Sequence, residues 1–327
     1  MNALRPGAGP IVTLTANPSV DRTLTLPGAL VRGAVHRVEH VTSQAGGKGV
    51  NISRAAVAAG LDTVAVLPAL PGDPFVRELE EAGIHCRTSA PAGDIRVNLT
   101  LTEPDGTTTK LNSPGEPIRG EHLDDLTAAV VSEARGASWT VLAGSLPPGA
   151  PAGLYADLVS RLSGLSRVAV DTSDAPLSAL VDRLPASAPA LIKPNAEELA
   201  SITGADPSVL EDDPVAAARA AQTLVDRGIG TVLVTLGARG ALLLDATGAW
   251  HATPTPTTVV STVGAGDSSL FGYLLADLQG LPPAERLALA VAYGSAAASL
   301  PGTTIPTPAE VRTESTLVRP LLVRQPS

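Results

Sequence analysis

Asp267 stands in the run Ser261-Thr262-Val263-Gly264-Ala265-Gly266-Asp267-Ser268, and a helical apolar stretch follows over residues 270–278. Glycines at such a helix start leave backbone N–H groups free to converge on an anion, and the helix macrodipole favours negative charge there. A first-turn carboxylate can point at the same spot. Taken alone, a first-turn Asp serves equally well to stabilise the helix start. A second glycine pair, Ala45-Gly46-Gly47-Lys48-Gly49-Val50-Asn51, also runs into a helix. Its spacing matches neither the Walker A loop nor the dinucleotide fingerprint, yet a polar ligand can approach the bare backbone at Gly46 and Gly47 while Asn51 reaches out from the first turn. Asn195 and Glu198, spaced N-x-x-E after Leu191-Ile192-Lys193-Pro194, have the form of a capping box that needs no ligand; the same two oxygen-bearing side chains also suit a second role at a site.

Strand-like and helix-like runs must position these groups. Short β-branched or Leu-rich runs recur at 11–15, 63–67, 140–143, 167–171, 191–193 and 231–235, as expected of buried strands. Ala/Leu-rich helical spacing fills 50–59, 75–82, 122–134, 154–162 and 215–226, with Gly60, Gly83, Gly136 and Gly228 as stops. This alternation predicts a mostly parallel sheet covered by helices on both faces. Two segments, about 22–42 and 95–112, alternate polar and apolar residues instead, and Asp105-Gly106 is a hairpin signal. They are expected to form a small antiparallel sheet set apart from the main one, within a single domain spanning 1–327. In Arg96-Val97-Asn98-Leu99-Thr100-Leu101 the period of two puts Arg96, Asn98 and Thr100 on one face and the aliphatics on the other. The Pro-rich stretches at 185–189 and 207–214 read as surface loops, and the tail after Thr316 as frayed.

Composition narrows the function classes. The chain has 327 residues, 44% of them apolar, 17% charged and 2% aromatic, so its core is built mainly from Ala, Val and Leu. With 23 basic against 32 acidic residues, a formal charge of −9 and no Lys/Arg run, nothing points to a nucleic-acid partner. Cys86 is the only cysteine, and the five His residues show no metal-ligand spacing. Residues 1–10 lack an apolar leader core and no stretch of eighteen apolar residues follows, so a cytoplasmic protein with no membrane partner is expected.

The motifs, in their order, resemble those of the ribokinase-like, PfkB-type carbohydrate kinases, over about residues 12–308. The resemblance rests on Asn17-Pro18-Ser19-Val20-Asp21, Gly46-Gly47-Lys48-Gly49-Val50-Asn51, Gly144-Ser145-Leu146-Pro147-Pro148-Gly149, Lys193-Pro194-Asn195 with Glu198, Thr235-Leu236-Gly237 with Gly240, and residues 261–267. Within the family, the first, third and last of these look most like the motifs of 1-phosphofructokinases. Tagatose-6-phosphate kinases and the minor 6-phosphofructokinases are close behind.

The resemblance implies a ribokinase-like three-layer α/β/α fold with a β lid, and a transferase acting on a phosphorylated ketohexose with ATP and Mg²⁺. The reaction implied is phosphorylation of fructose 1-phosphate to fructose 1,6-bisphosphate, with tagatose 6-phosphate and fructose 6-phosphate as alternative acceptors. It further implies that Asp267 is the general base and that the N–H groups of Gly264, Ala265 and Gly266 form an anion hole. Lys193, Asn195, Thr235, Gly237, Gly240 and Thr262 would line the nucleotide groove, with adenine near 292–295, and Asn195 and Glu198 would hold Mg²⁺ through water. On the sugar side stand Asp21, Gly46, Gly47 and Asn51, with Arg96, Lys48 and Ser145 toward the phosphate already present. Arg suits that place because its planar fork binds phosphate oxygens in pairs. The aliphatic face of the lid would pair two copies into a homodimer. An inactive sugar-phosphate sensor on the same fold would lack Asp267 or the Asn195/Glu198 pair, and all three are present. A nicotinamide dehydrogenase is excluded because no early strand leads into G-x-G-x-x-G.

Overall fold

A computed structural model describes residues 4, 7–254 and 257–322. The chain enters through β1 (Ile11–Thr15), β2 (Ser19–Thr25) and β3 (His40–Gly46), then α1 (Lys48–Ala58), β4 (Thr63–Pro68), α2 (Pro74–Glu81) and β5 (His85–Ser89). Next come β6 (Arg96–Thr102), β7 (Thr108–Leu111), α3 (Gly120–Glu133), β8 (Trp139–Ala143), α4 (Leu154–Leu162), β9 (Arg167–Asp171) and α5 (Asp174–Asp182). Then follow β10 (Leu191–Ile192), α6 (Ala196–Thr203), α7 (Pro207–Asp212), α8 (Pro214–Val225), β11 (Thr231–Thr235), β12 (Ala241–Asp245) and β13 (Gly248–Thr253). Helices α9 (Ala265–Leu278) and α10 (Pro283–Ala298) precede the last strand, β14 (Leu317–Leu321).

The main sheet has the order β14-β13-β12-β11-β10-β9-β8-β1-β4-β5. Every pair from β11 to β5 is parallel, and the β11–β12–β13–β14 end is antiparallel. The expected runs are its parallel strands, and β1, β8 and the last four residues of β9 are buried throughout, because both faces are covered. One apolar cluster joins the sheet to α3, α4, α5, α6 and α8, and a second joins it to α1, α9 and α10. These are the three layers. Aromatic residues are scarce and concentrate in the second cluster, where Phe271 meets Tyr293 edge-on at 5.2 Å and Trp139 meets Tyr273 at 6.4 Å.

The small sheet has the order β3-β2-β6-β7. Its outer pairs are antiparallel, as alternation and the Asp105-Gly106 turn predict, while the central pair β2–β6 runs parallel. A parallel pair needs a long crossover, and here residues 26–95 supply it by passing through β3 and a corner of the main sheet. Alternation at 22–42 extends beyond the strands, since 26–39 lie outside β2 and β3.

Two expectations are corrected. Residues 207–214 are not a loop: they hold α7 and the start of α8, each with Pro at its first position and an Asp cap before it. Asp206 accepts from the Ser208 N–H at 2.9 Å and Asp213 from the Val215 N–H at 2.8 Å. Asp-Pro is a helix-start signal, and each such cap is worth about 1 kcal/mol. The tail after Thr316 is not frayed over its described part, because β14 pairs antiparallel with β13 from Thr253↔Leu317 to Ala249↔Leu321. Strand β13 would otherwise leave an open edge, and Pro320 is tolerated on an outermost strand. The end of that tail lies outside the described residues.

Candidate active site

The loops at the carboxyl ends of the parallel strands line two cavities, the expected place for a ligand in an open α/β sheet. The first encloses about 510 Å³. The lid and the starts of α1 and α9 wall it with Asp21, Gly47, Lys48, Asn51, Arg96, Gly264, Gly266 and Asp267, and Ser145 after β8, Lys193, Asn195, Glu198 and Thr235 complete it. The second encloses about 800 Å³ and is more apolar, with Gly237, Gly240, Thr262, Ala265, Val291, Gly294, Ser295 and Ala298 in its wall. Asn195, Thr235 and Gly266 belong to both, so the two cavities meet at the start of α9.

Asp267 sits at that junction. It is buried in the first turn of α9, whose N-cap Gly264 has φ 77°, a left-handed conformation that favours glycine. The N–H of Ala265 lies 3.4 Å from the Thr262 carbonyl, a long turn bond, so this donor is partly committed; the Gly264 and Gly266 N–H groups carry no bond within the described residues. Asn51, 216 residues away in sequence, donates from Nδ2 to Asp267 Oδ2 at 2.8 Å. Burial, then the neighbouring Asp171 charge, push the Asp267 carboxyl up to about 6, against the pull of Lys48, the Asn51 hydrogen bond and Lys193.

The glycine turn before α1 owes its composition to Thr15. Gly47 has φ 123°, and a Cβ there would lie 2.6 Å from Thr15 Cγ2. A Cβ on Gly49 would lie 2.5 Å from Thr15 Oγ1, which instead accepts the Val50 N–H at 3.1 Å. This close approach aims Lys48 and Asn51 into the cavity. Gly46 lines neither cavity but stands behind Asp21, since a Cβ on it would lie 2.2 Å from Asp21 Oδ2. Asp21 Oδ1 accepts from Ser19 Oγ at 2.8 Å and from Asn98 Nδ2 at 3.1 Å. Arg96 donates from Nη1 to the Ser113 carbonyl at 2.8 Å and from Nε to that of Asn17 at 3.3 Å. Burial lowers the Arg96 pKa, with Asp21 opposing, and an Arg so placed stays charged.

On the other side, Asn195 and Glu198 form the full capping box of α6. The Asn195 N–H donates to Glu198 Oε2 at 2.9 Å and the Glu198 N–H to Asn195 Oδ1 at 2.7 Å. A bridge from Asn195 to Thr235 holds the end of β11 beside them. Among the described residues no group of three or more His, Cys, Asp or Glu is placed to hold a metal. The capping box engages Glu198 through Oε2 alone. One carboxylate and one amide oxygen beside an open cavity suit a hard cation that keeps most of its water, as Mg²⁺ does.

Two placements differ from sequence-level reasoning. Lys193, expected in the nucleotide groove, lines the smaller cavity, because it directly follows β10 in the middle of the sheet. Asp171 was missed: it is fully buried beneath the cavity, with Lys48 Nζ at 2.7 Å and Lys193 Nζ at 3.2 Å. Its one sequence signal is a carboxylate ending an otherwise apolar strand. Asn98 and Ser19, which hold Asp21, were not singled out as site residues either, although alternation put Asn98 on the polar lid face. Burial and then Glu80 push the Cys86 thiol up to about 11, which disfavours the thiolate form.

Known proteins resemble this chain in sequence and in fold. Residues 14–310 match the pfkB family of carbohydrate kinases. The chain is 35% identical to a 1-phosphofructokinase of Rhodobacter capsulatus over 91% of its length and 93% of the relative's. It is 33% identical to the 1-phosphofructokinase of Escherichia coli strain K12, covering 88% and 91%. Among solved structures, phosphofructokinase-2 from Escherichia coli in complex with substrates and products superimposes with a TM-score of 0.84 at 29% identity, covering 93% of this chain and 97% of that one.

Proposed function

The chain belongs to the pfkB family of carbohydrate kinases, and from that premise we propose that it phosphorylates fructose 1-phosphate to fructose 1,6-bisphosphate with Mg-ATP, using Asp267 as general base. The observation that carries this reading is the place of Asp267: a buried carboxylate with its pKa raised to about 6, where the two cavities meet and a helix N-terminus opens. A base working near neutral pH needs such a pKa. The sugar phosphate occupies the smaller cavity, with its free C6 hydroxyl beside Asp267 and its phosphate toward Arg96, assisted by Lys48 and Ser145. Asp21 and Asn51, shaped by Gly46 and Gly47, accept and donate to the remaining hydroxyls.

ATP lies along the larger cavity, its adenine near Val291, Gly294 and Ser295 and its phosphates reaching Asn195, Thr235 and the first turn of α9. The N–H groups of Gly264, Gly266 and, once the Thr262 bond yields, Ala265 receive the transferring phosphoryl. Asn195 and Glu198 would hold Mg²⁺ through its water shell; the ion neutralises phosphate charge. The 1-phosphofructokinase names of relatives at 33–36% identity support the choice of sugar. A second acceptor has its own support, because a phosphofructokinase-2 in complex with fructose-6-phosphate superimposes with a TM-score of 0.81 at 28% identity. Coupled ADP-release assays with fructose 1-phosphate, fructose 6-phosphate and tagatose 6-phosphate are expected to rank the first highest in kcat/KM. Any other order assigns the chain to another acceptor.

The lid supports a homodimer. Register puts Ser19, Asp21, Arg96 and Asn98 on the cavity face, and Leu24, Val41, Leu99, Leu101 and Leu111 on the other. Val41 and Leu111 are 52% and 54% exposed, an apolar strip that a second copy would cover. Sedimentation at micromolar concentration is expected to show a dimer, and Leu111→Asp to shift it to monomer; a monomeric unmodified chain would remove this part. Among the described residues no helix is long and apolar enough to cross a membrane, and the reading is of a cytoplasmic enzyme.

A further inference from the structure

Among the described residues, Asp171 is a buried carboxylate beneath the site that the mechanism above uses only as a neighbouring charge on Asp267. It ends β9, a central strand of the sheet, and its side chain is 0% exposed. A charge with no access to water survives only if paired, and here the partners are two lysines from distant parts of the chain that line the same cavity. Lys48 opens α1 on the lid side, and its Nζ lies 2.7 Å from Asp171 Oδ1. Lys193 follows β10 and lines the same smaller cavity as Lys48, and its Nζ lies 3.2 Å from Oδ2. The Lys193 contact is an ion pair without hydrogen-bond geometry, since Oδ2 has no hydrogen-bond partner. Its ammonium nonetheless stands at the first turn of α9, 3.3 Å from where a Cβ on Gly266 would lie.

We propose that Asp171 is a positioning residue for phosphoryl transfer, clamping Lys48 and Lys193 so that both ammoniums flank the anion site in front of Asp267. Lysine heads ride on flexible four-carbon stems, and each costs side-chain entropy to hold still. Anchoring both on one desolvated carboxylate removes that cost before the substrates arrive and leaves the pair with a surplus positive charge for the transferring phosphoryl. Asp171 touches neither substrate and acts through the two lysines. The backbone secures it in turn: the Gly144 N–H donates to the Asp171 carbonyl at 2.9 Å, and Tyr155 and Thr172 donate to the Gly144 carbonyl at 3.1 and 2.9 Å.

The test is a set of double-mutant cycles. Asp171→Asn, Lys48→Met, Lys193→Met and the two pairs that include Asp171→Asn are assayed with ATP and fructose 1-phosphate. If the unmodified enzyme prefers another of the three sugar phosphates, that one is used, so a wrong acceptor does not touch the outcome. Asp171→Asn is expected to lower kcat roughly 10²-fold with both KM values within about threefold, and its loss is expected to shrink on either lysine background. Asp171→Glu, which keeps the charge, is expected to recover part of the rate. An unchanged kcat in Asp171→Asn overturns the proposal, and so do losses that multiply fully with those of both lysine variants. Should Asp171→Asn not fold, the Asp171→Glu cycles, read with Tm alongside kcat, decide by the same non-additivity. The clamp rests on the reading of Asp267 as base only for what the lysines flank. Failure of that reading shows in Asp267→Asn alone and leaves the Asp171–lysine cycles legible.

Discussion

Asp267→Asn is expected to lower kcat by about 10²–10⁴-fold, the usual worth of a positioned base, while the KM values for ATP and the sugar phosphate change little. The substitution keeps the shape of the side chain and an oxygen for the Asn51 donor, so it removes the proton acceptor and little else. The unmodified enzyme should show the same group in its pH profile. Burial, then Asp171, hold the Asp267 carboxyl up to about 6, with Lys48, Asn51 and Lys193 limiting the rise. As pH falls through about 6 the base is protonated, and log kcat/KM should bend downward there rather than near the ordinary carboxylate value. The stability sign is opposite to that of a salt-bridged Asp. A pKa raised on folding contributes stability that is present below the ordinary value and lost as pH rises through about 6. At pH 8 the ionised Asp267 therefore costs stability, and the Asn variant should melt at the same temperature or higher, as expected where activity trades against stability. A variant that turns over at the parent rate would sink the mechanism.

The second large effect is expected from Gly46→Ala. Gly46 has no left-handed φ, so its backbone accommodates alanine. The obstacle is the Cβ, which would lie 2.2 Å from Asp21 Oδ2 and 2.7 Å from Cγ. Asp21 has little room to yield, because Ser19 and Asn98 hold its other oxygen. A carboxylate displaced by about 1 Å misplaces the sugar hydroxyl against Asp267, and such a shift costs on the order of 10²-fold in rate. Steady-state kinetics should show kcat/KM for the sugar phosphate reduced by about that factor, with the KM for ATP unchanged. Unaltered sugar kinetics would mean that Asp21 does not contact the substrate. Methylation of a glycine outside both cavities thus becomes a test of a residue inside one.

Much of the frame was legible from local pattern. Buried strands such as Ile11–Thr15 and Thr231–Thr235 announce themselves as short apolar runs, because a strand covered on both faces has no polar side to show. Helix stops such as Gly60 follow from backbone chemistry that acts over a single turn. The Gly264-Ala265-Gly266-Asp267 start and the Asn195/Glu198 capping box are legible for the same reason, since each is one helix N-terminus. The Asp-Pro starts of α7 and α8 were equally local, and there proline's weight as a loop former hid its use at a helix's first position.

What the tertiary structure decided are relations between distant residues, for which a linear pattern carries no term. Strand β14 exists because β13 offers an open edge, not because residues 317–321 are strong strand formers. The parallel pairing of β2 with β6 depends on how the chain returns across a corner of the sheet. Asn51 meets Asp267 across 216 residues. Asp171 looks like an ordinary strand end until the fold brings Lys48 and Lys193 to its two oxygens. The sequence by itself determined that a carboxylate would stand at a glycine-lined helix start; only packing set the burial and the neighbouring charges that hold that carboxylate up to about 6.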